Sequence, residues 1–180
     1  MDAEITRWIN SFAGASPAFD QVMIFVTSAG VPLIVGLVVL QWWSRADRRH
    51  VRHAAICAGL SFLLGLAINQ LILLGVHRLR PYDMNVTQLL ITPSADWSFP
   101  SDHATASMAV ALAFLLQGLR GRSWALFGLA FLVCLSRIFV GTHFVTDVLG
   151  GAATGLVAAI TVRLLYRENT RIDRLLTGIF

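Results

Sequence analysis

The sequence contains no lysine, and its basic residues, fourteen in all, are arginines. Charged residues of both signs make up only 13% of the 180 residues, whereas hydrophobic residues make up 56%. Soluble domains carry about 25% charged residues on average, so this composition excludes an ordinary soluble domain. We expect a single integral membrane domain over residues 1–180.

Cysteine is also scarce, with only Cys57 and Cys134, each inside an apolar segment. Two such residues make neither a disulfide framework nor a metal site, so we predict free, buried thiols. We expect no bound metal and no cofactor. The N-terminus lacks a basic region followed by an apolar run, and we therefore expect no cleaved signal peptide.

Five apolar segments approach the length of about 20 residues that a bilayer requires. We predict them at about 21–43, 54–76, 103–119, 123–140 and 144–166. Residues 2–14 are too polar to span, yet Ile5, Trp8, Ile9 and Phe12 recur at helical spacing. That pattern is typical of an amphipathic helix lying in the membrane interface. The predicted fold class is an all-α integral membrane bundle of about five transmembrane helices plus an N-terminal interfacial amphipathic helix.

The arginines are distributed unevenly along this topology. Four lie in the loop 44–53, two in the turn near residue 120 and four in the tail after residue 162. The positive-inside rule places these three regions in the cytoplasm. The N-terminal helix, the loop 77–102 and the turn 141–143 then face the periplasm or exterior of an inner (plasma) membrane.

Three polar clusters share that outer side: residues 77–81, residues 99–103 and residues 136–147. An ionisable group at a helix centre in a membrane costs about 2.5–3.5 kcal/mol, and less toward the ends. Polar clusters that meet at one membrane face are therefore expected to be functional.

The third cluster places His143 four residues before Asp147. If the two open a helix, they share one face, and the carboxylate can accept a hydrogen bond from one ring nitrogen. The other nitrogen would be free to attack as a nucleophile. The structural alternative is a capping histidine and an acid at a helix N-terminus, with Arg137 extending toward the interface.

The remaining polar residues suit phosphoryl transfer. Arg80 and Arg137 offer guanidinium groups matched to phosphate oxygens. Ser101 could cap the third span, so that the backbone N–H groups after it face an anion. His103 could protonate the leaving oxygen, because the ordinary pKa of histidine lies near neutrality.

Read together, the clusters resemble the type-2 phosphatidic acid phosphatase superfamily, whose pattern is K-x6-R-P, P-S-G-H and S-R-x5-H-x3-D. The third motif matches at Ser136, Arg137, His143 and Asp147. The second motif has Asp102 in place of Gly, and the first keeps Arg80-Pro81 but has Leu73 in place of Lys. The P-S-D-H variant and the N-terminal helix further resemble bacterial undecaprenyl-diphosphate phosphatases of the bacitracin-resistance type.

The resemblance implies a metal-independent phosphatase in which His143 is the nucleophile, Asp147 orients it and His103 is the acid. Arg80, Ser101 and Arg137 would hold the phosphate. The expected partners are a lipid phosphate substrate and membrane lipids, with no nucleic acid.

The favoured substrate is a polyprenyl diphosphate, cleaved to the monophosphate. Alternatives are a phosphatidate or phosphatidylglycerophosphate phosphatase, a lipid or anion transporter, and an inactive binding protein.

The two departures from the motifs lead to further expectations. Leu73 removes a cation, and a helical stripe of Leu73, His77 and Arg80 suggests that His77 or Arg78 binds the second phosphate instead. Asp102 is expected at the helix N-terminus with its side chain turned outward and its N–H facing phosphate. Alternatively, Asp83, Asp96 and Asp102 could hold a divalent ion.

Overall fold

The computed structural model describes residues 1–179, which form helices and no strands. In chain order the helices are α1 (Asp2–Asn10), α2 (Pro17–Leu40, continued by a 3-10 turn Gln41–Trp43), α3 (Arg48–Leu73), α4 (Asp102–Leu116), α5 (Arg120–Phe139), α6 (Val145–Leu165) and α7 (Arg171–Thr177). Four of them, α2 with its turn, α3, α5 and α6, are long and apolar enough to cross a membrane. The predicted all-α membrane bundle is confirmed.

Helix α4 is the shortest of the five central helices and lies in the middle of the bundle. Its 15 residues rise about 22 Å, against a hydrocarbon core about 30 Å thick. It ends before Gly118, whose φ of +79° suits glycine and breaks the helix, so the predicted third span is shorter than 103–119. Helices α3, α5 and α6 pack around α4, and the residues that flank it, Ser101 and Gln117, are both buried.

Small residues on α6 allow it to pack closely on α4. A Cβ added at Gly155 would come within 2.8 Å of Thr105 O and 2.9 Å of Ala109 N. Such distances are shorter than real Cβ contacts, so glycine is needed for this helix approach. Toward the start of both helices, the Ser101 N–H donates to Asp147 O at 3.1 Å, so the first turn of α6 lies beside the start of α4, and both carry residues of the polar clusters.

Helix α1 packs on the bundle through its polar face. Thr6 and Asn10 are buried, whereas Ile5, Trp8 and Phe12 are about half or more exposed. The expected interfacial amphipathic helix is therefore present, with its apolar side directed away from the protein, where lipid would cover it.

Helix α3 begins six residues earlier and ends three residues earlier than predicted, at Arg48 and Leu73. Its basic first turns are accommodated because His53 is buried against α7, where Nδ1 lies 2.7 Å from Asp173 Oδ1. At the other end the chain leaves the helix at Leu74-Gly75, and His77 and Arg80 follow in irregular structure. The predicted helical stripe from Leu73 to Arg80 is therefore wrong.

Candidate active site

The three polar clusters meet in one small cavity at the end of the bundle where α3 and α5 end and α4 and α6 begin. Its volume is about 100 Å³, well below the roughly 300–1,000 Å³ of pockets that enclose whole drug-sized ligands. The cavity is thus suited to a head group rather than to a lipid tail. It is lined by Leu73, Arg80, Ser94, Asp96, Trp97, Pro100, Asp102, His103, Arg137 and His143.

His143 lies in the tight connection between α5 and α6. Helix α5 ends at Phe139, and Gly141 two residues later has a φ of +85°, which allows the chain to turn back. The N–H groups of Thr142 and His143 then donate to Arg137 O at 3.1 and 3.3 Å. This turn explains the spacing between Arg137 and His143, because it places the two residues at the same cavity.

The His143 ring has one nitrogen bound and the other directed at the cavity cations. Nδ1 lies 2.8 Å from the carbonyl oxygen of Ser98, to which it donates, so Nε2 carries the lone pair. Nε2 lies 3.3 Å from Arg80 Nη1. Burial lowers the pKa of His143 to about 4, with the nearby arginines acting in the same direction. The ring is therefore neutral at neutral pH, as a nucleophile must be.

Asp147 lies beside His143 but does not orient it in the way the spacing suggested. His143 precedes α6 instead of opening it, and Asp147 Oδ2 is 3.7 Å from Nδ1. That oxygen accepts hydrogen bonds from Ser98 Oγ at 2.5 Å and from the Phe144 N–H at 2.8 Å. The expected hydrogen bond from imidazole to carboxylate is replaced by one to a backbone carbonyl.

Arg80 is buried and fixed by several acceptors. Nε donates to Asp96 O at 3.0 Å, Nη2 to Asp96 Oδ1 at 2.8 Å and Nη1 to Thr142 O at 3.0 Å. Burial opposes ionisation of Asp96, but hydrogen bonds from Ser94 and Arg80 lower its pKa overall. Arg80 therefore brings a rigid guanidinium to the cavity, with its charge partly balanced by Asp96.

Arg137 is the less compensated of the two cavity arginines. Its side chain is 7% exposed, and Nη1 donates to Thr27 Oγ1 of α2 at 2.8 Å. Its Nε has no hydrogen-bond partner among residues 1–179. Burying a charge without a partner is costly, so a guanidinium in this state is typical of a site that binds an anion.

Helix α4 begins at the cavity with Ser101 in the N-cap position. Ser101 is fully buried, and its hydroxyl has no partner within the described chain. Among residues 1–179 no side chain caps α4, so the N–H groups of its first turn remain available to an anion. His103, in that turn, lines the cavity.

The structure brings both departures from the motifs to the cavity wall. Leu73 lines the cavity, so the position of the missing lysine faces the site. The Asp102 side chain also lines it and accepts a hydrogen bond from Asn69 Nδ2 of α3 at 2.7 Å. The expectation that Asp102 points outward is wrong, because the buried amide of Asn69 draws the carboxylate inward.

His77 and Arg78, the expected replacements for the missing lysine, lie outside the cavity lining. His77 packs against the ring of Trp97, with centroids 4.9 Å apart. Arg78 Nη1 donates to Asp147 Oδ1 at 2.6 Å, whereas the other carboxylate oxygen, Oδ2, is the one near His143. The cavity cations are thus Arg80 and Arg137. Among residues 1–179, no three His, Cys, Asp or Glu side chains are grouped so that they could hold a metal ion. Of the acids considered for a divalent ion, Asp96 pairs with Arg80 and Asp102 with Asn69.

Sequence reasoning missed two residues that hold the site together. Ser98 binds His143 with its carbonyl and Asp147 with its hydroxyl. Thr27 holds Arg137, and its signal was a hydroxyl inside an otherwise apolar span. The role of the Ser98 carbonyl had no signal in the sequence, because every residue has a backbone carbonyl.

Comparison with known proteins identifies the family. The PAP2 superfamily model matches residues 54–171. Undecaprenyl-diphosphatase BcrC of Bacillus subtilis is 34% identical over 166 residues, covering 92% of this chain and 82% of that protein. Putative undecaprenyl-diphosphatase YbjG of Escherichia coli is 29% identical over 161 residues, covering 88% and 79%.

A solved structure agrees with the sequence relatives. The transmembrane PAP2-type phosphatidylglycerolphosphate phosphatase from Bacillus subtilis superposes with a TM-score of 0.67 at 25% identity, covering 94% of this chain and 86% of that one. The motif resemblance, the helical bundle and the family match agree. This chain belongs to the PAP2 superfamily and is a multi-pass membrane phosphatase.

Proposed function

We propose that this protein hydrolyses a lipid diphosphate on the outer face of the plasma membrane, through a phosphohistidine on His143 and without a metal. The observation that carries the proposal is the placement of His143, whose Nδ1 is bound to Ser98 O and whose Nε2 faces a cavity containing the buried Arg137, which has no acidic partner within the described chain. A nucleophile beside a buried guanidinium that has no acidic partner is suited to transfer of a phosphoryl group.

The reaction proceeds in two displacements. His143 Nε2 attacks the terminal phosphorus, and the bond from phosphorus to the bridging oxygen breaks. His103, protonated when the anionic head group is bound, donates that proton to the leaving oxygen, and Arg80 and Arg137 stabilise the charge on the equatorial oxygens. Water then attacks the phosphohistidine, giving up its proton to His103 and releasing inorganic phosphate.

Asp147 has a defined part in this scheme. Nδ1 keeps its proton, which it donates to Ser98 O in a hydrogen bond. When Nε2 forms a bond to phosphorus, the ring therefore becomes positively charged. The Asp147 carboxylate, 3.7 Å from Nδ1, stabilises that charge. Its role is therefore electrostatic, and the carbonyl of Ser98 selects the tautomer.

A polyprenyl diphosphate such as undecaprenyl diphosphate is the favoured substrate, because two sequence relatives are named undecaprenyl-diphosphatases. Phosphatidylglycerophosphate is the second candidate, supported by the solved structure that superposes on this chain. Phosphatidate is the alternative that rests on the motif resemblance. The transporter alternative needs a polar path through the bilayer. The bundle below the site is instead packed with apolar side chains such as Val110 and Phe114.

Phosphate release by the purified protein in detergent tests the proposed substrate and metal independence together. We expect faster release from undecaprenyl diphosphate than from phosphatidate or phosphatidylglycerophosphate at equal surface concentration. The rate should be unchanged in excess EDTA. Preference for a glycerophospholipid would replace the substrate assignment. Loss of activity in EDTA that Mg²⁺ restores would contradict the metal-independent mechanism.

Cysteine labelling tests the proposed orientation. Thr92 is exposed on the outer loop, and Ala46 is exposed in the short turn between α2 and α3. We expect an impermeant thiol reagent to label Thr92→Cys but not Ala46→Cys in intact cells, because arginine-rich turns remain in the cytoplasm. Both variants should react once the cells are lysed, whereas the native Cys57 and Cys134 are buried. The opposite pattern would reverse the topology.

A further inference from the structure

Helix α1 provides polar side chains to the part of the site behind Asp147. Asp2 and Thr6 lie one turn apart on its buried face. Thr6 Oγ1 accepts from the Val145 N–H at 3.1 Å, and Asp2 Oδ1 accepts from the Thr146 N–H at 3.1 Å. Two N–H groups at the start of α6 therefore bond to α1, in the helical turn that carries Asp147.

Asp2 is also the first member of a chain of charged contacts that ends at His143. Asp2 Oδ2 accepts from Arg78 Nη2 at 2.6 Å, and Arg78 Nη1 donates to Asp147 Oδ1 at 2.6 Å. The other oxygen of Asp147 faces His143 Nδ1. The guanidinium is thus held between two carboxylates, and its Cζ lies 4.0 Å from the centre of the Phe144 ring.

We infer that Asp2 is a positioning residue for phosphoryl transfer, acting through Arg78 on the carboxylate that faces His143. The inference rests on the proposed function, since the charge beside His143 affects turnover only if His143 carries the phosphoryl group. Neither Asp2 nor Arg78 lines the cavity, so neither has a direct contact with the head group to lose.

The Arg78 guanidinium is shared between the carboxylates of Asp2 and Asp147. With Asp2 present, Arg78 uses Nη1 for Asp147 and the Thr146 hydroxyl, and Nη2 for Asp2. Without the Asp2 carboxylate, Arg78 can turn both nitrogens toward Asp147 and form the bidentate pair that guanidinium and carboxylate favour. Asp147 would then stabilise the cationic phosphohistidine less well. Loss of Asp2 should therefore slow the chemical step and leave substrate binding unchanged.

Steady-state kinetics of Asp2→Asn test the inference. We expect kcat to fall by about 10–100-fold, as for other groups that act through a neighbour of the reacting residue, with KM within about twofold of wild type. Asp2→Glu should recover part of kcat. Glu4→Gln, on the exposed side of the same helix, is the matched control and should behave as wild type. A rise in KM at constant kcat would overturn the inference.

Two further variants separate positioning from simple anchoring of α1. The double variant Asp2→Asn/Arg78→Gln should be no slower than Arg78→Gln alone, because Asp2 acts through Arg78. Additive losses would contradict this. Thr6→Val removes the acceptor of the Val145 N–H without touching Arg78. If it lowers kcat as much as Asp2→Asn, Asp2 only anchors the helix.

The same assay distinguishes failure of this inference from failure of the proposed function. If the wild-type protein releases no phosphate from any lipid phosphate or diphosphate, the proposed function is wrong. If the wild type is active and Asp2→Asn has the same kcat, the positioning role alone is refuted.

Discussion

Replacing His143 with alanine is expected to reduce phosphate release by at least about 10³-fold, because loss of a covalent nucleophile leaves only the electrostatic part of the site. The cavity cations should survive the substitution. Arg80 is held by Asp96 and Thr142 O, and Arg137 by Thr27, so neither depends on the imidazole alone. The variant should therefore still bind a lipid diphosphate while failing to cleave it.

Two measurements check this expectation. Single-turnover experiments with substrate labelled in the terminal phosphate should detect an acid-labile phosphoprotein in the wild type and none in His143→Ala. His50→Gln is the control, because His50 contacts Gln117 O and Glu168, away from the cavity. Persistence of the phosphoprotein in His143→Ala would assign the nucleophile to another residue.

Replacing Asp147 with asparagine is expected to lower kcat by about 10²–10⁴-fold, the range of effects seen when the acid beside a catalytic histidine loses its charge. The tautomer should be retained, since Ser98 O holds the Nδ1 proton. The loss should come from the missing negative charge beside the phosphohistidine and from Arg78, which would keep only Asp2 as a carboxylate partner.

The same substitution should reduce stability. Asp147 is fully buried and accepts hydrogen bonds from Arg78, Ser98 and the Phe144 N–H. In the asparagine variant an amide NH₂ group replaces one oxygen, so a hydrogen-bond donor would face other donors without an acceptor. An unsatisfied buried polar group costs about 1–3 kcal/mol. Thermal unfolding in detergent measures this loss, and Asp83→Asn, at an exposed loop position, is the control. Wild-type kcat in Asp147→Asn would contradict the electrostatic role.

The fold class could be predicted from the sequence because hydropathy is a local property of the chain. Long apolar segments must become helices in a bilayer, where each backbone polar group needs a partner within its own segment. The N-terminal helix was recognisable for a similar reason, since its apolar residues recur at helical spacing. Helix ends were less predictable. The basic residues in the first turns of α3 were predicted to form a loop, because the sequence does not show that α7 covers His53.

The convergence of Arg80, His103, Arg137 and His143 also followed from the sequence. Their motifs lie at ends of predicted spans, and alternating spans bring those ends to one face. The sequence thus determined that these four residues meet and the chemistry that their types allow, but it also placed His77 and Arg78 at the site, and both lie outside the cavity lining. It also indicated that Leu73 leaves the site short of one cation.

Only the tertiary structure decided how those residues are held. The carbonyl of Ser98 accepts a hydrogen bond from His143, and Arg78 donates to Asp147. Asp2, in the N-terminal helix, accepts from Arg78. The physical reason is that hydrogen-bond partners are chosen by where chain segments lie after folding. A backbone carbonyl has no sequence signature, and the direction of Arg78 depends on α3 ending at Leu73.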